Sequence, residues 1–201
     1  MLSTVLLLAL TLAAAVSDVF RKKIYNWNTY GGILAGLALS AAGGVWLRVD
    51  NEAGSRLGAW LGSPPLADAG WGLLTCGGLM VVCFVLFPGI GGGDVKLMAM
   101  IGTLMGWEKG LEALLWTFVL GSCFSLIILV WRVGPVTTVW RVVRLISTRL
   151  LRLPWLRPLS DEERVALRQR VFVAPGALAA VVIVRFGLIE VLEKVLEPRI
   201  P

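Results

Sequence analysis

Apolar residues in this chain fall in blocks close to the length of one bilayer crossing, and this limits the possible folds more than any motif does. Six such blocks are present, at 2–16, 29–47, 69–87, 95–107, 111–131 and 171–189. With 57% hydrophobic residues, 16% charged residues and a mean hydropathy of +0.81, the 201-residue chain has too little polar surface to cover a domain in water. Lipid is therefore part of its solvent, and a backbone crossing lipid must satisfy its own N–H and C=O groups. The expected fold is an all-α, polytopic membrane helix bundle of about six transmembrane segments. It forms a single membrane-embedded domain over residues 1–201, with one basic cytoplasmic loop at 133–170. The fourth block, 95–107, is short for a crossing and is expected to begin in a polar cavity or to pack inside the bundle.

Lys and Arg between the blocks set the orientation, since cytoplasmic loops retain positive charge. With the N-terminus outside, the inner segments hold Arg21, Lys22, Lys23, Lys96, Arg132 and the eight arginines from Arg141 to Arg170, 13 of 19 basic residues. Both termini are therefore expected outside. A cleaved signal peptide is the rival reading of the first block, because Ala15-Val16-Ser17 precedes Asp18. Against it, no positive residue precedes the block, and Arg21-Lys22-Lys23 follows it.

In the long loop, Arg141, Arg144, Thr148 and Arg152 share one helical face, broadly opposite Val139, Val143, Ile146 and Leu150. This suits the anionic inner leaflet of the bilayer as a partner. Pro154 and Pro158 break that helix, and Ser160 with Glu163 gives a capping-box pattern for another. A solvated charged face that only fixes topology reads the same residues equally well.

The chain contains no histidine, which removes Ser/His/Asp and Cys/His triads, His-ligated zinc and a His proton shuttle. Cys76, Cys83 and Cys123 lie in apolar runs without a CxxC pair and read as small buried hydrophobes, so no metal is expected. The net charge of +6 does not indicate nucleic acid, because the basic residues flank apolar blocks instead of forming a solvated face.

A carboxylate beside a membrane span is costly unless it faces water, a partner or a cavity. Asp50, Glu52 and Asp68 belong in or beside an outer Gly/Pro-containing loop, Glu108 and Glu112 flank a turn, Asp161 to Glu163 cap a helix, and Glu190, Glu193 and Glu197 sit in the tail. Asp18 and Asp94 remain: one ends the first block, the other follows Pro88-Gly89-Ile90-Gly91-Gly92-Gly93 at the mouth of the fourth. Both fall on the cytoplasmic side. Two neighbouring carboxylates cannot both ionise comfortably, so one holds a proton while the other can take one from a shared water, giving a general acid and a general base that titrate as a unit. Gly91, Gly92 and Gly93 can take positive φ and would let an extended substrate backbone approach Asp94. Lys96 either marks the inner face or lowers the pKa of a nearby carboxylate. On these residues alone, a Gly-rich turn before an Asp is weak evidence for catalysis, and a flexible turn between spans is the simpler reading of the glycines.

Asp18-Val19-Phe20-Arg21-Lys22-Lys23-Ile24-Tyr25-Asn26, followed by Gly91-Gly92-Gly93-Asp94-Val95-Lys96-Leu97, resembles the two signatures of the type IV prepilin peptidases, GxGD membrane aspartic enzymes. Val171-Phe172-Val173-Ala174-Pro175-Gly176-Ala177 is more weakly similar to the Pro-containing start of that family's last span. The resemblance implies that Asp18 and Asp94 are the catalytic pair, with Lys96 and Asn26 supporting, and that no cofactor is needed. It also implies cytoplasmic-face cleavage of the short basic leader of prepilins and pseudopilins. Tyr25 stands where the family commonly has proline, and the four clustered cysteines of the larger bifunctional members are missing. A peptidase without methyltransferase activity is therefore expected, similar to the small members that serve tight-adherence (Flp) pili. Trp27, Tyr30, Trp46, Trp107 and Trp131 read as interfacial belts. Two alternatives use the same bundle: a small proton-coupled transporter with the aspartates as a relay, and an inactive pilus-assembly scaffold.

Overall fold

The computed structural model of the chain describes residues 1–21, 23–46, 52–87, 90–134, 140 and 173–196. Among them every regular element is a helix: α1 (Leu2–Arg21), α2 (Asn26–Trp46), α3 (Glu52–Leu61), α4 (Leu66–Leu86), α5 (Gly92–Met105), α6 (Trp107–Val133), α7 (Val173–Arg185) and α8 (Leu188–Leu196). Two compact units result, Met1–Gly121 with Phe172–Pro201, and Ser122–Val171. The described part of the second is the distal part of α6 with Gly134 and Trp140. The arginine face at 141–152 and the Ser160–Glu163 capping pattern lie outside the described residues. All the helices that carry the candidate residues belong to the first unit.

The first five apolar blocks each lie mainly on one helix and the described part of the sixth on two, and the chain is an all-α bundle among the described residues. Three segments, Leu2–Arg21, Gly58–Leu86 and Trp107–Ile128, are long and apolar enough to cross a membrane. Large apolar side chains such as Val5, Leu34, Leu74 and Val85 point outward from the bundle, as lipid-facing residues do.

The fourth block behaves as its length requires. In α5 every residue from Leu97 to Met105 is buried, so this 14-residue helix is enclosed by the first unit instead of facing lipid on one side. It packs against α1, α2, α4 and α7. Small residues make the enclosure possible, because lipid supplies no hydrophobic drive between helices and close backbone approach must serve instead. A Cβ at Gly72 of α4 would run into the Gly102 carbonyl oxygen of α5, and a Cβ at Gly102 would run into that of Gly72. On the α2 side, a Cβ at Gly32 would overlap the Met100 side chain, and one at Gly36 would come within 3.1 Å of Thr103 and Leu104.

Two features tie the ends. Gly106, at φ 83°, turns the chain between α5 and α6, and the Trp107 N–H that follows donates to Asp68 Oδ1 at 3.3 Å. Asp68 thus caps the start of α6, which accounts for a carboxylate in the first turn of α4. At the end of the bundle that holds the start of α1, Arg185 donates to Thr4 Oγ1 and to the Gly62 carbonyl.

Several expected boundaries are corrected. The outer loop contains α3, a short amphipathic helix whose ten residues were too few and too polar to register as an apolar block. The helix of the fourth block, α5, starts at Gly92, three residues ahead of its apolar run, because a helix begins where its first-turn donors are capped. The last block is two helices broken at Phe186-Gly187, with Gly187 at φ 60°; Val171 and Phe172 lie outside the described residues. If Gly72 and Gly102 set the α4–α5 spacing, Gly72→Ala destabilises the protein by about 1–3 kcal/mol through overpacking, whereas Gly78→Ala, which meets no atom within 4 Å and replaces a mid-helix glycine, leaves the Tm in detergent unchanged or higher.

Candidate active site

Asp18 reaches the site through the periodicity of α1. Leu7, Thr11 and Ala14 are buried on one face, and continuing that three-to-four spacing puts Asp18 on the same face one turn later. There its carboxylate lies near the backbone N–H of Ala174, in the first turn of α7. The first-turn N–H groups of a helix have no partner within it, and Pro175 has none to offer, so Ala174 is an available donor for an anion. Gly176 fixes α7 here, since a Cβ on it would lie 3.2 Å from the Gly121 nitrogen of α6.

Asp94 occupies the third position of α5, ahead of its apolar run and outside the three crossing segments. Its Oδ2 accepts the Gly91 N–H at 3.0 Å, and its own N–H donates to the Gly91 carbonyl at 3.0 Å. This is one half of a capping box; Gly91 has no side chain to supply the other. Burial pushes the Asp94 carboxyl up to about 6; the Gly91 N–H opposes the rise and the negative charge of Asp18 adds to it. The two carboxylates are thus near enough for the charge of one to act on the other.

Four chain segments meet at this end of the first unit: the C-terminal turn of α1, the link into α2, the first turn of α5 and the first turn of α7. Ile24 of the link packs on α5, where a Cβ at Gly93 would lie 3.1 Å from that of Ile24. Lys96 Nζ donates to Asn26 Oδ1 at 3.0 Å and lies 4.8 Å from the centre of the Tyr30 ring. The cation–π contact contributes about 0.5–1 kcal/mol at a partly exposed site. Arg21 donates to the Tyr25 hydroxyl, and the Tyr25 carbonyl accepts from Asn28 and Thr29, so Tyr25 opens α2 where a proline was expected.

A comparison with family models matches residues 5–126 to the type IV leader peptidase family. The match covers more than half of the chain and takes in both aspartates and the glycine run before Asp94. The chain belongs to the type IV leader peptidase family. It is a leader-peptidase-type protease, and prepilin-type proteins are the substrates that the family implies. No curated protein and no solved structure matches it.

For this leader peptidase, two expectations change. Gly91 to Gly93 do not take positive φ: Gly91 has φ −87° and the other two lie in the first turn of α5. Their use here is spatial, since Gly93 leaves room for Ile24. Nor does Lys96 address a carboxylate. Residues two apart on a helix point in different directions, and Lys96 turns to α2 while Asp94 turns back to Gly91. Sequence reasoning missed Ala174 as a partner of Asp18, although the similarity at Val171 to Ala177 pointed at that turn. It also took Tyr30 for an interfacial ring only. Among the described residues no three Cys, Asp or Glu side chains converge as a metal would require.

The environment of Asp94 has a consequence for stability. A folded-state pKa near 6 exceeds the ordinary 3.8, so protonation favours the folded state. That stability is fully present below about pH 4 and is lost as pH rises through about 6. Asp94→Asn keeps an acceptor for Gly91 and removes the charge. Its Tm relative to wild type is expected to rise between pH 4 and pH 6 and to stay higher above pH 7; a Tm difference that does not vary with pH contradicts the burial of this carboxylate.

Proposed function

We propose that this leader peptidase is an aspartic endopeptidase whose catalytic pair is Asp18 and Asp94. The observation that carries the reading is that the link leaving the Asp18 helix packs on the mouth of α5, with Ile24 against Gly93 and Asn26 on Lys96, which brings the end of α1 to a half-buried Asp94. With one proton shared between them, the ionised carboxylate takes a proton from a bound water as the water oxygen attacks the scissile carbonyl carbon. The carbonyl oxygen is protonated by the other carboxyl group. The tetrahedral intermediate then breaks its C–N bond: one of its hydroxyls gives a proton to the ionised carboxylate as the C=O re-forms, and the protonated carboxyl gives its proton to the leaving amine, so the pair again holds one proton.

The substrate in this reading is a prepilin or pseudopilin, cut after its short basic leader at the cytoplasmic face of a bacterial inner membrane. The N-terminus lies outside, in keeping with the distribution of basic residues. Arg21 and Lys23 would repel a basic leader and suit anionic headgroups better. Methyltransferase activity is not part of the reading, because only Cys76, Cys83 and Cys123 are present and all three fall in apolar runs. The resemblance to family members without clustered cysteines favours service to tight-adherence pili. Gly91 to Gly93 remain the place where a substrate backbone would approach Asp94.

A proton relay built on the same carboxylates predicts acidic residues along a path through the bilayer. Asp18 and Asp94 instead lie at helix ends, in the last turn of α1 and the first turn of α5. The test is cleavage of a co-expressed prepilin, read by gel shift and N-terminal sequencing. Asp18→Asn and Asp94→Asn, each at wild-type membrane levels, are expected to reduce cleavage by at least about a thousandfold. Normal cleavage by either variant would refute the aspartic mechanism.

A further inference from the structure

We propose that Lys96 and Asn26 form a positioning bridge that sets the separation of Asp18 and Asp94, an inference that rests on reading those aspartates as the catalytic pair. Neither bridge residue touches the carboxylates in the structure. Both sit where the helices carrying them are joined.

The chain path makes the connection short. Asp18 lies in the last turn of α1, which ends at Arg21, and α2 begins at Asn26, leaving four residues between them. That link reaches the mouth of α5 twice. Ile24 lies on Gly93, immediately before Asp94, and Asn26 Oδ1 accepts a hydrogen bond from Lys96, two residues after it. The Tyr30 ring, one turn along α2, lies 4.8 Å from the same ammonium and restricts where it can swing. The end of the Asp18 helix and the start of the Asp94 helix are therefore held by one link with two anchors.

The chemistry of the bridge suits positioning better than catalysis. A lysine beside a carboxylate pair would stabilise both charges and oppose the sharing of one proton. Lys96 is turned away, and its contacts are a neutral amide and a ring face, so it ties helices together without adding its charge to the pair. A dyad that must share one water needs such control, because a misplacement of about 1 Å can cost about a hundredfold in rate.

The test uses the purified full chain in nanodiscs with a prepilin substrate, measuring kcat and KM separately. Lys96→Met and Asn26→Leu are each expected to lower kcat about 10- to 100-fold, with KM within about twofold of wild type. The double variant is expected to be no worse than the weaker single, since both remove one bridge. Lys96→Arg, which still reaches an amide oxygen and stacks on a ring, and Asn26→Asp, which still accepts, should recover most of the rate. Should Lys96→Met fail to accumulate, Asn26→Leu with its Asp rescue carries the test. Unchanged kcat overturns the proposal, as do independent losses that multiply in the double variant. A raised KM at normal kcat would make Lys96 a substrate-binding cation instead and also overturns it. Asp18→Asn and Asp94→Asn run in parallel: if they cleave normally, the catalytic reading and the bridge fall together, and if they are dead while the bridge variants match wild type, only the bridge falls.

Discussion

The contact between the backbones of α4 and α5 at Gly72 and Gly102 decides where the shortest apolar helix can sit. Fourteen residues cannot comfortably cross a bilayer, and α5 therefore has to be enclosed by protein. Enclosure on all sides demands partners that come very close, which glycines on α4 and α2 supply in the absence of a hydrophobic drive. Once α5 is enclosed, its first turn is fixed relative to α1 and α7, and Asp94 at that turn is withdrawn from bulk water without being sealed off.

Each aspartate then answers to a backbone donor. Asp94 accepts the Gly91 N–H, and Asp18 lies near the Ala174 N–H in the first turn of α7, so each has a main-chain donor beside it. One such donor is not enough to offset the burial of Asp94, which remains easy to protonate near neutral pH. That balance is what acid–base work by a carboxylate pair requires: two groups that hold one proton between them, with the cost of ionising both kept high.

Much of this was legible in the chain itself. Block lengths announced the helices, and the shortness of 95–107 announced an enclosed α5, because both follow from bilayer thickness alone. Asp18 and Asp94 stood out because no cap, loop or tail accounted for them, while Asp68 proved to be a cap at Trp107. The backbone conformation of the glycines was misjudged: φ values of Gly91 to Gly93 depend on where α5 begins, and the start of a helix is set by capping contacts that composition does not reveal. Ala174 could not be found from periodicity, since its contribution is a main-chain N–H. The hydrogen bond from Lys96 to Asn26, across 70 positions of sequence, depends on how α2 packs against α5.

The claim from which the rest follows is that the two carboxylates share one place in the folded, membrane-embedded protein. It can be measured directly by cysteine crosslinking, with Cys76, Cys83 and Cys123 first replaced by alanine. Asp18→Cys paired with Asp94→Cys should be bridged in membranes by a short bifunctional thiol reagent as readily as Thr4→Cys paired with Arg185→Cys, whose side chains are in hydrogen-bond contact. Efficient bridging of the 4–185 pair with none at 18–94, under any reagent short enough to span neighbouring side chains, would contradict the account.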